Sequence, residues 1–426
     1  MTLGEAGLQI LRAAIRAGDV GPLVTRALSS IDFSRHRRIL VVGAGKASGA
    51  MAQALEGVLG DRISAGLVVV KDGYTAPTKR IKVLEAGHPI PDERGLRAAN
   101  EILALARSAG AGDLVIVLIS GGGSALTPCP VPPITLEEKQ VLTRLLLAAG
   151  ANINELNAVR KHCSLLKGGR LAQAASPAPV LSLILSDVIG DPLDVIASGP
   201  TAPDQTTYRD ALSILERFGL RSKAPRAIVD HLERGARGEV PETAKADDPI
   251  FGRVQNRVIG NNGLVVEAAV REAEALGFRV SFVTSALRGE AREVAKEFCG
   301  LATSATPPAC VLAGGETTVT VKGTGMGGRC QEFALAAALA IQGMDDVLVL
   351  AAGTDGTDGP TDAAGAIADG NTITKAAPRN LDARASLESN DSYRFFSGLG
   401  DLITTGPTNT NLLDLYLLLV GPLPSR

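Results

Sequence analysis

Short, unbroken apolar runs alternate along the chain with longer segments of helical period, and this alternation predicts an α/β protein. Strands are predicted at Arg38–Gly43, Gly66–Val70, Ile81–Glu85, Leu114–Ile119, Val180–Leu185, Arg257–Ile259, Val280–Val283, Ala309–Ala313 and Val347–Ala351, of which 66–70, 114–119, 309–313 and 347–351 are unbroken and 81–85 carries Lys82 and Glu85. Strands that are apolar on both faces belong to parallel or mostly parallel sheets covered by helices on each side. Helices are predicted from the N-terminus to Asp19, from the Gly43–Gly49 loop through Leu59, over Asp92–Ala109, Thr135–Ala149, Ile153–Ala174, Tyr208–Phe218 and Pro225–Arg234, and after Arg329. Asp92 and Glu93 place negative charge at a helix N-terminus, and Thr135 with Glu138 has the spacing of a capping box. Pro128, Pro130, Pro132 and Pro133 exclude a regular helix directly after the Leu114–Ile119 strand. Leu412–Val420, apolar but for an interrupting Asp414, reads as a buried element.

Residues 235–252, GARGEVPETAKADDPIFG, are polar, carry glycine and proline and are only weakly periodic, so the domain boundary is placed there. In a chain of 426 residues this gives an N-terminal α/β domain over 1–238 and a C-terminal one over 239–426, each long enough to bury its own core. Composition then excludes several function classes. A formal charge of −2 leaves no basic footprint for nucleic acid or an anionic membrane. Aromatic residues are 3% and Trp is absent, so base-stacking platforms are not expected. The five cysteines are scattered without a C-x-x-C pair and the four histidines do not cluster, so neither a zinc site nor a disulfide framework is indicated. That usage fits a reducing, cytoplasmic setting. The first helix, bearing Glu5, Arg12 and Arg16, lacks the form of a signal peptide, and no apolar run approaches the roughly 18 residues of a membrane span. The expected partners are therefore small molecules rather than nucleic acid or membrane, with a homodimer left open.

Glycine, aspartate, serine, lysine or arginine gathers after one strand after another, at 43–49, 120–124, 186–191, 260–263, 314–316 and 353–359. In open α/β sheets the ligand crevice lies beyond the carboxyl ends of the strands, so these loops predict an enzyme site between two domains. The stretch Ala313–Ala340 carries the fullest set: Glu316 at a strand end, glycines over 323–328, and Arg329 opening an Ala/Leu-rich helix. Glycines there would let the backbone approach an anion with its N–H groups outward. A tight hairpin would account for the glycines but not for the arginine beside them.

The first loop, with Gly43, Gly45 and Lys46, is neither a P-loop nor a complete G-x-G-x-x-G, because Ser48 stands at the third glycine position. Lys46 inside it suits phosphate or carboxylate better than a neutral turn. Ser120, Gly121, Gly122, Gly123 and Ser124 offer successive N–H groups and two hydroxyls for an anion nest. None of His36, His88, His162 and His231 can be assigned as the base a serine nucleophile needs, which disfavours a hydrolase. Asp187, Asp191, Asp355 and Asp358 occupy strand ends or glycine-rich loops, where carboxylates bind Mg²⁺ or accept a proton from a substrate hydroxyl. Phosphoryl transfer needs cations, Mg²⁺ and a base, and Lys46, Arg329, Asp187 and the glycine loops supply these parts.

These segments carry a resemblance. GAGKASGAM, ISGGGSAL, LNAVRKHCSLLKGGRLA, SDVIGDPLDVIASGPT, GGETTVTVKGTGMGGRCQEFALA, AGTDGTDGPTDAAGA and TGPTNTNLLDLYLLLV resemble the class II glycerate kinases, in that family's order, from about Ile39 to Val420. The resemblance implies a Rossmann-like N-terminal domain with a doubly wound parallel sheet. It also implies a second, mostly parallel α/β domain holding the MOFRL region (about 309–420), and an active site in the interdomain cleft. The implied reaction is ATP-dependent phosphorylation of D-glycerate at its 2-hydroxyl to 2-phosphoglycerate and ADP, with Mg²⁺. Lys46 matches the family lysine that contacts substrate or the transferred phosphoryl, and Arg329 matches the arginine that stabilises the transferring charge. Asp187 matches the candidate base or metal ligand, with Asp191 as a second metal candidate. Glu316, Asp355 and Asn409 match further motif positions, and Asn261 in the 260–263 loop completes the expected binding set.

Two other readings compete. An NAD(P)-dependent hydroxypyruvate reductase needs an intact G-x-G-x-x-G, an acidic ribose partner (Asp72 is the candidate) and a His/Arg pair for the carbonyl. Ser48 and the missing histidine count against it. A non-catalytic sugar-phosphate sensor would replace the acidic and basic candidates with neutral residues, and here all are present.

Overall fold

The computed structural model describes residues 1–422, which gather into two units, Val20–Ile259 and Met1–Asp19 with the chain from Gly260 onward. In the first unit the apolar runs become β1 (Ile39–Ala44), β2 (Ile63–Lys71), β3 (Ile81–Ala86), β4 (Leu114–Ile119), β5 (Val180–Leu185) and β6 (Val254–Gly260), ordered β3-β2-β1-β4-β5-β6. The β2–β3, β1–β2, β1–β4 and β4–β5 ladders all run parallel. β1, β4 and β5 are buried along their whole length. Side chains on both faces of such strands are satisfied only when helices cover each side. On one face Leu40, Val42, Val115 and Val117 pack with Ala98 and Ile102 of the helix Glu93–Arg107. A separate cluster joins the helices Leu136–Ala148, Ile153–His162, Tyr208–Arg217 and Arg226–Ala236.

The local signals are realised. The Asp92 side chain accepts from the Gly95 N–H at 3.0 Å. Thr135 and Glu138 cap reciprocally, at 2.9 and 3.2 Å. The strand order reverses between β1 and β4, which is the doubly wound Rossmann arrangement with its crevice at those two carboxyl ends.

The second unit holds β7 (Arg279–Leu287), β8 (Ala309–Gly315), β9 (Val347–Gly353), β10 (Gly365–Asp369), β11 (Leu402–Ile403) and β12 (Asp414–Val420), ordered β11-β10-β9-β12-β8-β7. Only β7–β8 is parallel; β8–β12, β12–β9, β9–β10 and β10–β11 are antiparallel. The mostly parallel second sheet expected from sequence is thus corrected to a mixed one. The reason is that β12 inserts between β8 and β9 against the direction of both. A strand covered on two faces is apolar throughout whichever way it runs, so an unbroken run reports burial and not direction. The helix Arg329–Ala340 is buried from Cys330 to Ala338. Phe333 and Ala337 pack with β8, β9 and β12, while Ala334, Leu335 and Ala338 meet Phe395 and Phe396. Layers on both sides explain its small residues.

Other expectations shift. The predicted helix Ile153–Ala174 divides into Ile153–His162 and Arg170–Ala175, with left-handed Gly168 (φ +59°) and Gly169 (φ +76°) between them. Residues 317–321, in which Thr and Val alternate, form no strand, only a bridge from Thr318 to Glu290. Residues 235–252 lie inside the first unit, because β6 joins that unit's sheet as an outer strand. The helix Leu3–Ala17 lies in the other unit, where Gln9 Nε2 donates to Glu272 at 2.7 Å. The compact units therefore part from the 1–238 and 239–426 division at both ends. The last four residues of that expected C-terminal domain, 423–426, lie outside the described residues.

The β1–β4 contact yields a stability prediction. A Cβ on Gly43 would stand 2.2 Å from the Leu118 carbonyl oxygen. Gly43→Ala is expected to cost about 1–3 kcal/mol, as overpacking does elsewhere. Urea unfolding followed by circular dichroism checks this, and an unchanged midpoint would refute so close an approach.

Candidate active site

At the switch point the 43–49 and 120–124 loops are locked together. Gly45 adopts φ +145°, and a Cβ there would lie 2.1 Å from Ser120 Oγ. A Cβ on Gly123 would lie 2.8 Å from the Ala44 carbonyl. The Gly45, Lys46 and Ala47 N–H groups donate to Val69 O (3.0 Å), Gly121 O (2.8 Å) and Ser120 Oγ (2.9 Å). Buried Ser48, at the third glycine position, donates to Leu118 O at 3.2 Å. The first loop therefore spends its donors on the second loop and the sheet. Among the described residues, the N–H groups of Gly121 and Gly122 bond to no protein acceptor, so the usable nest lies in the second loop. Lys46 reaches that loop: a Cβ on Gly122 (φ +85°) would lie 3.7 Å from Lys46 Cγ and 3.0 Å from the His88 ring.

His88 is a site neighbour that sequence reasoning left unassigned. Burial first, then the charges of Lys46 and Lys71, push its pKa down to about 4, so the ring is neutral at physiological pH. Ser124 faces inward instead, with its Oγ 2.9 Å from Ser198 Oγ, which donates to Asn157 at 3.0 Å.

Asp187 and Asp191 follow β5 on a tight turn. Asp191 has φ +53° and its N–H donates to Val188 O at 3.1 Å. No group of three or more His, Cys, Asp or Glu among the described residues could hold a metal by protein ligands alone. Two carboxylates on one turn match the manner in which Mg²⁺ is held, by one or two side chains together with substrate phosphates and water.

In the second unit the site residues collect where β8 and β9 end and β12 begins. Asp414 pairs in register with both Gly315 and Gly353. Arg329 grips it with two bonds, Nε to Oδ2 at 2.5 Å and Nη2 to Oδ1 at 2.9 Å, and its Nη1 pairs with Glu316 at 2.9 Å. Buried Tyr416 donates to Asp414 at 3.0 Å. Burial works to lower the Arg329 pKa, but the hydrogen bonds and charge of Asp414 raise it on balance, so the guanidinium is permanently charged. Asp414 was visible in sequence only as the acid interrupting an apolar run. Asp355 is close by, accepting from Thr357 N at 3.0 Å. A Cβ on Gly353 would stand 3.4 Å from Asp414 and 3.5 Å from Asp355.

Other candidates have structural employment. Asp358 caps the helix Arg329–Ala340, accepting from Cys330 N (3.1 Å) and Gln331 N (2.8 Å). Burial pushes its pKa up to about 7, against those two donors and with the Asp414 charge adding to the rise. Asn261 caps the helix Asn262–Ala275 through Leu264 N at 3.1 Å. Asn409 is exposed with φ +58°. The 323–328 loop offers its expected outward donors only in part: among the described residues the N–H groups of Gly327 and Gly328 bond to no protein acceptor, while those of Gly323, Gly325 and Met326 are used. Lys322, Gly323, Gly325 and Met326 donate to Ser389, Asn390 and Asp391, at 2.8 to 3.0 Å. A Cβ on Gly323, Gly325 or Gly327 would fall within 2.5 Å of that segment. Asp72, the ribose candidate of the reductase reading, is held by Arg94 at 2.6 and 2.9 Å.

Comparison with known proteins places the chain. A family model described as a domain of unknown function (DUF4147) matches residues 7–233, and the MOFRL family model matches 309–414. Glycerate 2-kinase of Pyrococcus horikoshii is 42% identical over 99% of this chain and 98% of its own. The chain belongs to the glycerate 2-kinase family. A crystal structure of glycerate kinase from Thermotoga maritima superposes with a TM-score of 0.90 at 40% identity, covering 98% of this chain and 99% of that one. A relative in Agrobacterium vitis, 42% identical over 90% of this chain and 87% of its own, is named a hydroxypyruvate reductase only provisionally.

Two outcomes follow from the geometry. Asp414→Asn should cost roughly 2 kcal/mol, because it leaves Arg329 half-buried and undercompensated; urea unfolding measures it. His88 titrates near 6.5 when unfolded but near 4 when folded, so the unfolded state binds the extra proton between those values. Its contribution is whole above pH about 6.5 and is lost as pH falls toward about 4. His88→Gln should flatten that part of the stability–pH curve relative to wild type, and parallel curves would exclude the assignment.

Proposed function

We propose that the protein transfers the γ-phosphoryl group of ATP to the 2-hydroxyl of D-glycerate, giving 2-phosphoglycerate and ADP. The observation that carries this reading is the likeness, along 98% or more of the chain, to proteins named glycerate 2-kinase or glycerate kinase. The site supports it. Lys46, beside the open N–H groups of Gly121 and Gly122, is suited to the charge of the phosphoryl oxygens. Asp187, after β5, takes the proton from the 2-hydroxyl as that oxygen bonds to phosphorus and the bond from the γ-phosphorus to its bridging oxygen breaks. Arg329, held in orientation by Asp414, steadies the transferring charge. Mg²⁺, with Asp187 and Asp191 as its protein ligands, would neutralise the β- and γ-phosphate oxygens. Glu316 and Asp355 set the position of Arg329 and the neighbouring loop.

The reductase reading has less support, since the first loop spends its N–H groups internally and Asp72 is paired with Arg94. Among the described residues no helix is long and apolar enough to cross a membrane, and all five cysteines are free and buried. We read the protein as a cytoplasmic enzyme of small-molecule substrates; the free cysteines fit a reducing compartment, and the formal charge of −2 supports partners other than nucleic acid or an anionic membrane.

The test is an assay with D-glycerate, ATP and Mg²⁺, resolving 2- from 3-phosphoglycerate by NMR, with NADH and hydroxypyruvate in parallel. Formation of 2-phosphoglycerate without NADH oxidation is expected; the opposite pattern would sink the kinase. Lys46→Ala and Arg329→Ala should each lower kcat/KM by about 100-fold or more while the protein stays folded. Arg329→Lys should also be impaired, because an ammonium cannot reproduce the two-pronged grip on Asp414. Near wild-type turnover in any of these would reject that residue's role.

A further inference from the structure

Beside the Ser120–Ser124 loop, within the first unit, lies a cavity of about 260 Å³ whose charged residues the reaction above does not use. Every charged residue of its lining is a cation, Lys139, Arg144, Arg160 and Lys167, and Ser124, Gln140 and Thr143 are the neutral polar ones. Pro91, Pro128 and Leu147 form an apolar wall. Lys139 is 5% exposed and its ammonium has no hydrogen-bond partner. Lys167 is 1% exposed and donates to the Ser124 carbonyl at 2.8 Å, a neutral acceptor. Among the described residues, no carboxylate comes within ion-pair distance of any of the four.

Water-excluded ammonium groups without counter-charge cost several kcal/mol each, so they persist where something compensates them. The titration behaviour agrees. Burial, opposed by nothing acidic except Cys129 and Cys163, pushes Lys139 down to about 8 and lowers Lys167 further, with Arg160 repelling both. Three converging cations with an apolar wall are the complement of a small organic anion. We propose that this cavity is a binding site for the carboxylate or phosphate group of a small organic acid, held by Lys139, Arg160 and Lys167. The residues come from the AVRKHCSLLKGG segment and the preceding helix, which none of the roles assigned above employs. The site stands or falls independently of the kinase reading.

The experiment is titration calorimetry on the full chain with inorganic phosphate, D-glycerate and, as a neutral control, glycerol. It would compare wild type with Lys139→Met and Arg160→Gln. Wild type should bind at least one of the anions and not glycerol. Both variants should weaken that binding tenfold or more, and Lys139→Met should melt at or above the wild-type temperature because it removes a desolvated charge. Tighter binding of D-glycerate than phosphate would assign a carboxylate ligand; the reverse order would assign a phosphate. If neither anion binds, or if both variants keep the wild-type Kd within twofold, the proposal is overturned. Failure of the kinase reading would appear separately, as absence of 2-phosphoglycerate from wild type.

Discussion

The near-contact of two strand ends, β1 and β4, is the constraint on which the first unit's site depends. Gly43, Gly45 and Gly123 remove the side chains that would hold those ends apart, and Ser120 Oγ then reaches the Ala47 N–H at 2.9 Å. Because the first loop satisfies its donors on the second, it is held rigidly enough to present Lys46 over Gly122. The second loop keeps the unspent donors of Gly121 and Gly122. This division of labour inverts the usual expectation of a glycine-rich first turn, in which the first loop itself cradles phosphate. Here the first loop brings the cation and the unspent donors stay with the second.

The second unit solves a different electrostatic problem. A guanidinium at a helix start is badly placed, since the helix dipole there favours anions. Asp414 and Glu316 offset that, and Asp414 can do so because β12 runs antiparallel between β8 and β9, bringing its first residue level with their last ones. Asp358 covers the helix's own N–H groups, leaving Arg329 to the carboxylates. The direction of β12 is thus a chemical requirement as well as a topological detail: a parallel strand would present its opposite end to Arg329.

Much of this was legible in the chain. Unbroken apolar runs located the strands to within a few residues, and Asp92, Thr135 and Glu138 marked helix starts by their local hydrogen bonds. What could not be read was anything depending on partners distant in sequence. Strand direction leaves no trace in a run that is apolar on both faces, so the mixed second sheet was invisible. That Gly323 and Gly325 serve the 389–391 segment could not be read, because a glycine required by a neighbouring segment and one required by a ligand leave the same letter. Asp414 showed itself as the one acid in an apolar run, but its pairing with Arg329 is a contact across 85 residues. The return of β6 to the first sheet was not legible either, since a polar connection can lead a strand back to the sheet it came from.

The cationic cavity shows the same limit from the other side. Lys139, Arg160 and Lys167 are not singled out by the sequence: one lies in a predicted helix, two in a segment quoted for its resemblance alone. Lys167 lies in the break between the helices Ile153–His162 and Arg170–Ala175, just ahead of left-handed Gly168 and Gly169. The break redirects the backbone, and Lys167 then donates to Ser124 O, at the far end of the loop whose other end receives Lys46. One loop thus accepts from the Lys46 backbone N–H at Gly121 and from the Lys167 ammonium at Ser124. Any change that neutralises the charge behind it alters the field felt by the donors in front of it, because in a low-dielectric interior like charges act on each other over such short spans.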